Sequence, residues 1–272
     1  MTMLRGNHSV REWLNSIGVE RLLIVSPHLD DAVLSVTGLL RAAAARATVL
    51  TVLTESDAQA GIEWARAAGF SDAREEHAQR RLEDLRAMQY LGCGHRHAGL
   101  RSDELNGDAV ERQLQQLLET DVHHPPRHLS QLLVLLPAAS GGTRPYTWFQ
   151  KQWNRLLRLP FGSPAHPEHQ QVRDRLWSAV SRLPVHVGFY ADLPYAWRQS
   201  DAAIQAELEA RFGQPLAATH LEVDLQDKLA ATALYPSQMR LILGESPAYK
   251  QRVLSRPECV FLVKKPPIAS QP

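Results

Sequence analysis

Cysteine is nearly missing from this chain: Cys93 and Cys259 are the only two in 272 residues. That is too few for a disulfide framework, and such usage fits a reducing compartment. An excess of one charge is missing as well. With 30 Lys and Arg against 29 Asp and Glu the net charge is +1, which argues against the positive field of a nucleic-acid binder or of a protein held on an acidic membrane. No apolar run approaches a membrane span, and residues 1 to 11 hold no apolar leader core. The expectation is a cytoplasmic protein. Repeats and low-complexity segments are lacking too. What remains is 44% hydrophobic and 22% charged, a composition and length that suit one α/β domain over 1–272 better than two.

The stretch with the most chemistry is Ile24-Val25-Ser26-Pro27-His28-Leu29-Asp30-Asp31-Ala32. Leu22 to Val25 reads as a short buried strand, and Pro27, with no N–H for a sheet ladder, takes the chain out at the strand's carboxyl end. Beyond Asp31, Val33, Val36, Leu40 and Ala44 recur at helical spacing, so Asp30 or Asp31 stands at a helix start. Open α/β sheets bind their ligands at that edge. A strand-end His28 and a helix-start Asp31 can converge on one cation, which leaves Asp30 as a free base. A plainer reading stands beside this one, because Asp is a favoured N-cap and needs no further role there.

Around this stretch the pattern predicts a helix over residues 9 to 18 and a parallel strand over Val49 to Thr54, which completes a right-handed crossover unit. A long helix runs from Ser71 to Leu91, capped by Asp72 and Gly92, with Leu82, Leu85 and Leu91 on its inner face and Arg80, Arg81, Glu83 and Asp84 on a solvated one. His95 and His97, and His123, His124 and His128, are read as loop histidines in a chain that has 12. Strands are expected at Leu132 to Leu136, Val185 to Tyr190 and Val260 to Val263, a helix at Lys228 to Ala233, and a frayed tail from Lys264. An aromatic-rich insertion at about 142–163 carries Tyr146, Trp148, Phe149, Trp153 and Phe161 and suits either a lid or a small packed helix. His166-Pro167-Glu168-His169 follows, where Pro167 at the first helical position places His166 at the N-cap and His169 in the first turn. His169 can then reach the crevice of His28 and Asp31.

In these residues the chain resembles the PIG-L/LmbE family of metal-dependent N-deacetylases. The family's His-Pro-Asp-Asp-Glu stretch is matched by His28-Leu29-Asp30-Asp31-Ala32, and its His-Pro-Asp-His stretch by His166-Pro167-Glu168-His169. Softer matches are Arg80 with Glu83-Asp84 and Leu91-Gly92, the run Phe189 to Tyr195, and Lys228 with Tyr235 and Ser237-Gln238. The resemblance implies a Rossmann-like three-layer α/β sandwich with a mostly parallel sheet. It also implies one Zn2+ per chain on His28, Asp31 and His169, with Fe2+ or another divalent ion as the alternative. Asp30 would be the general base, a protonated His166 would face the reacting carbonyl, and Arg80, Asp192, Tyr195 and Tyr235 would contact substrate. Ala32 and Glu168 depart from the family's Glu and Asp, which puts any supporting role at those positions in question.

The activity so implied is hydrolysis of an N-acetyl group on a sugar or sugar conjugate, such as an N-acetylglucosamine derivative, giving acetate and a free amine. Three protein ligands leave zinc an open position, as catalytic sites require. The expected partner is a small N-acetylated sugar or glycoconjugate, with no nucleic acid or membrane and with self-association into a homo-oligomer left open. The alternatives are a non-catalytic sugar- or partner-binding member of the fold, which Ala32 favours and the intact Asp30 opposes, an amidase acting on a thiol-sugar conjugate, and a metallo-phosphoesterase, for which a second metal would lack ligands.

Overall fold

The computed structural model describes residues 2–106, 108–120, 129–141 and 165–264. The aromatic-rich stretch 142–163, His123, His124 and His128, and the tail beyond Lys264 lie outside them. No described helix is long and apolar enough to cross a membrane.

Eight strands form one sheet: β1 (Thr2–Leu4), β2 (Arg21–Ser26), β3 (Ala47–Leu53), β4 (Gly94–Leu100), β5 (Leu132–Pro137), β6 (His186–Tyr190), β7 (Leu216–Leu221) and β8 (Glu258–Val263). Their order is β1-β7-β8-β6-β5-β2-β3-β4, parallel throughout except for β8, which runs antiparallel to both β6 and β7. The central strands are apolar on both faces because helices cover both. Leu22 and Ile24 of β2 face one core cluster, whereas Leu23 and Val25 face the other. The first layer holds α1 (Gly6–Ser16), α2 (Asp31–Ala43), α4 (Ala73–Leu91), α8 (Leu225–Thr232), α9 (Pro236–Leu243) and α10 (Pro247–Leu254). The second holds α5 (Ala109–Thr120), α6 (Pro167–Val180) and α7 (Asp201–Phe212), while α3 (Ile62–Ala68) lies beside α4 and α9. This is the expected three-layer sandwich.

Two expectations change. His95 and His97 belong to edge strand β4, and His97 Nε2 lies 2.7 Å from Asp84 Oδ2, so they are not loop histidines. Helix α4 also differs from the expectation: Arg80, Glu83 and Asp84 are buried and Leu82 is exposed, while Leu91 is buried as expected and Leu85 is half-buried. The reason for the acidic groups is the neighbouring α9, whose polar start meets them, whereas Arg80 turns to Glu76 and Asp30. Tyr235 donates to Asp84 (2.7 Å), Ser237 to Glu83 (2.6 Å) and Gln238 to Glu76 (2.8 Å), so each buried carboxylate has a donor. Charge periodicity alone does not distinguish a solvated face from a satisfied buried one.

Helix α2 holds the first motif against the sheet, and a break shapes it. Val36 leaves helical geometry at φ −137° and ψ 37°. The Glu258 carboxylate accepts from Gly38 N (2.9 Å) and Leu39 N (3.2 Å), capping the second half of the helix. A buried acid at donor N–H groups is favourable, and Lys228 Nζ, fully buried at 3.1 Å from Glu258, balances its charge. Lys228 thus supports the fold. Lys228→Met is expected to lower unfolding stability by about 3–5 kcal/mol, since it strands a buried carboxylate. Urea denaturation checks this, and a loss under about 1 kcal/mol would show that the pair is not needed.

Candidate metal centre and active site

The carboxyl ends of β2, β5 and β6 deliver the site. Ser26 closes β2, and its hydroxyl donates to His28 O (2.6 Å) and accepts from Ala32 N (3.1 Å), so this serine serves the start of α2. Asp30, at the N-cap position, makes no side-chain cap bond. The capping reading therefore falls for Asp30, while Asp31 Oδ2 accepts from the backbone N–H of His28 (2.7 Å), which precedes the helix. Ala32, where the family has Glu, is buried in the apolar core.

Three donor atoms from distant parts of the chain meet. His28 Nδ1 lies 3.2 Å from Asp31 Oδ2 and 3.2 Å from His169 Nε2, and His169 Nε2 lies 3.1 Å from Asp31 Oδ2. A tetrahedral ion with ligand bonds of about 2.0–2.1 Å sets its ligand atoms roughly 3.3–3.4 Å apart, so the edges of this triangle fall within about 0.3 Å of that spacing. The opposite ring nitrogens are engaged elsewhere. His169 Nδ1 lies 2.9 Å from Asp192 Oδ2, and His28 Nε2 lies 2.7 Å from Glu168 Oε2. With an N–H on each of those atoms, the neutral rings would present their lone pairs to the triangle, the arrangement that ligating imidazoles require. Glu168 and Asp192 therefore hold the two rings. Asp192 Oδ1 is itself bound by Ser140 N (3.3 Å) and Ser140 Oγ (3.4 Å). Ala139, a non-glycine at φ 50°, turns the chain into that contact at the end of β5.

The charges point the same way. Burial opposes a charge on His169, yet Asp31 and Asp192 raise its pKa to about 10. Burial also opposes ionisation of Asp31, but His169 and His28 hold it well below the usual carboxylate range. This spot favours a positive charge between the donors. Glu168, despite burial, is held at about 2, mainly by its bond to His28.

Asp30 stands outside the triangle. Its Oδ1 lies 3.5 Å from Arg80 Nη2, while its Oδ2 is buried without a hydrogen-bond partner. Burial lifts its pKa to about 6 against the pull of Arg80. His166 sits edge-on to His28 with ring centroids 5.1 Å apart. Burial, His28 and His169 lower its pKa to about 4, so the imidazole is neutral near pH 7 rather than protonated as expected. Tyr195 packs edge-on against both His166 and His169.

A cavity of about 600 Å³ opens over these groups, lined by His28, Asp30, Asp31, Arg80, His166 and Tyr195 and reaching Glu55, Trp64, Glu76 and Gln238. Asp192 and Tyr235, expected at the substrate, do not line it: both are fully buried, Asp192 beneath His169 and Tyr235 on Asp84. Trp64, Glu76, His77 and Ser102 also lie on its wall, and nothing in the sequence joins them to the two motifs. A further cluster also brings donor atoms together, His220 Nε2 lying 3.0 Å from Asp201 Oδ2 and 3.6 Å from Cys259 Sγ. Arg256 pairs with Asp201 at 2.6 Å, and burial raises the Cys259 thiol far above neutrality, which suits structural packing.

Residues 23–180 match the family model described as PIG-L, GlcNAc-PI de-N-acetylase. The chain belongs to the PIG-L family. A relative, 2'-N-acetylparomamine deacetylase of Streptomyces fradiae, is 32% identical over 233 residues, covering 80% of this chain and 73% of its own. Among solved structures, the A40926 pseudoaglycone deacetylase is 25% identical at a TM-score of 0.62, over 90% of this chain and 97% of that one. The zinc-inhibited form of teicoplanin deacetylase superposes at a TM-score of 0.64 with 24% identity, over 92% of this chain and 100% of that one, and supports the fold.

Proposed function

We propose that this PIG-L protein hydrolyses the N-acetyl group of an amino sugar or sugar conjugate, with a divalent cation, zinc in the first instance, held by His28, Asp31 and His169. The observation that carries this reading is the donor triangle, whose two imidazoles are each held at the far nitrogen by Glu168 and Asp192, with an unpartnered Asp30 oxygen beside it. When bound, such an ion polarises an amide carbonyl and acidifies water.

The chain's own residues then divide the work. Arg80 holds Asp30 through Oδ1, so that Oδ2 can take a proton from the attacking water. Neutral His166 offers an N–H to the carbonyl oxygen as charge develops there, an interaction worth roughly 3–4 kcal/mol when preorganised. Asp30 afterwards returns its proton to the leaving nitrogen, so that acetate and amine depart in balance. Tyr195 walls the two imidazoles against lateral movement. A non-catalytic sugar binder would need no free buried carboxylate at this point.

The test is release of acetate, with an equal amount of free amine, from N-acetylated amino sugars before and after chelation and after return of zinc. Metal-dependent release supports the reading, and none from the metal-loaded protein across such substrates would refute it. Asp192→Asn and Glu168→Gln should each weaken metal affinity about 10–100-fold without unfolding the chain. Competition with a chelating indicator measures this. Unchanged affinity in both would mean that these carboxylates do not orient the ligands.

A further inference from the structure

Four large apolar side chains are markedly exposed among the described residues: Met3, Trp64, Leu82 and Tyr90. Tyr90 is covered by the Arg41 guanidinium, 4.4 Å from its ring centroid. Trp64 alone of the four belongs to the wall of the cavity over the donor triangle. Its surroundings fix it there. Helix α3 is bracketed by Gly61 and Gly69, both at positive φ (69° and 96°), and two bonds tie it to α9: Trp64 Nε1 to Gln238 Oε1 (2.8 Å) and Arg240 Nη2 to Ala67 O (2.7 Å). The indole is thus a rigid apolar plane, satisfied at its one polar atom and 42% exposed.

A chain of contacts joins that plane to the reacting end of the cavity. Gln238, which accepts from Trp64, donates through Nε2 to Glu76 Oε1 (2.8 Å). Glu76 Oε1 lies 3.4 Å from Arg80 Nη1, and Arg80 Nη2 reaches Asp30. Platform and base therefore share one buried polar wall, which sets their separation. A pyranose has a matching form, with an apolar face of C–H groups and a rim of hydroxyls. Face on to the indole, its rim would meet the polar side chains of that wall.

We propose that Trp64 is the residue that selects a sugar ring, by stacking against the apolar face of the pyranose whose acetamido group reaches the donor triangle. This rests on the deacetylase reading for the reaction but makes a separate claim about binding. Acetate release is to be measured with the methyl β-glycoside of N-acetylglucosamine and with the acyclic amide N-acetylethanolamine, on wild type, Trp64→Ala and Trp64→Phe brought to equal metal content. In Trp64→Ala the preference for the glycoside, as a ratio of kcat/KM values, is expected to fall about tenfold or more, mostly through KM. In Trp64→Phe, which keeps an aromatic face and loses the bond to Gln238, the ratio should stay within about threefold of wild type. An unchanged ratio in Trp64→Ala, both substrates falling together, would overturn the proposal and leave the indole a packing role. Should wild type release acetate from neither compound, the deacetylase reading is judged by the wider substrate series above, and calorimetric titration of the glycoside judges the platform alone. Binding weakened about tenfold in Trp64→Ala upholds it, whereas equal binding in both proteins, or none to wild type, overturns it.

Discussion

Asp30→Asn is expected to lower kcat by about a thousandfold, within the range of about 10²–10⁴ that a general base supplies, while the protein keeps its metal. The two effects separate because Asp30 lies beside the donor triangle without belonging to it: its Oδ1 meets Arg80 and its Oδ2 meets no partner. Asn has the same shape and can still accept from Arg80, so packing and KM should change little. What it cannot do is take a proton at the second oxygen. Steady-state rates and metal content on the same preparation decide the matter. A variant that turns over within about threefold of wild type would remove Asp30 from the reaction.

His169→Ala should have the larger effect on the metal. His169 is fully buried and joins the triangle to Asp192, so its loss removes a donor and leaves two buried carboxylates, Asp31 and Asp192, without the group between them. Metal affinity should fall by more than the 10–100-fold that an orienting partner such as Asp192 is worth, at about the ordinary scale of such effects. Acetate release should vanish with it. Circular dichroism and a thermal melt of the variant show whether the fold survives. A folded variant that still binds metal as wild type does would mean that the ion is held elsewhere.

Both motifs could be read before any coordinates because their signal is local. Pro27 ends a strand and Pro167 begins a helix, and each proline fixes where the next polar side chains stand. The three-layer fold was legible for the same reason, from short apolar runs that alternate with helical periodicity. Long-range contacts were not. Whether Glu76, Glu83 and Asp84 face water or a partner depends on α9, some 150 residues further on, whose Tyr235, Ser237 and Gln238 supply the matching donors. Edge strand β4, with Gly94 and Gly99 and alternating histidines, carries little of the apolar pattern that marks a buried strand. Glu168 looked like a departure from a motif, yet its extra methylene leaves it 2.7 Å from His28. Trp64 was silent in the sequence because its meaning lies in where α3 is tied.

The most direct test is to strip the protein of metal, titrate zinc back, and follow both bound ion per chain and acetate released from an N-acetylated amino sugar on the same samples. The donor triangle predicts that activity rises in step with occupancy up to about one ion per chain. Acetate release that is complete in the stripped protein, or zinc bound at that stoichiometry with no acetate released, would contradict metal-dependent deacetylation at His28, Asp31 and His169.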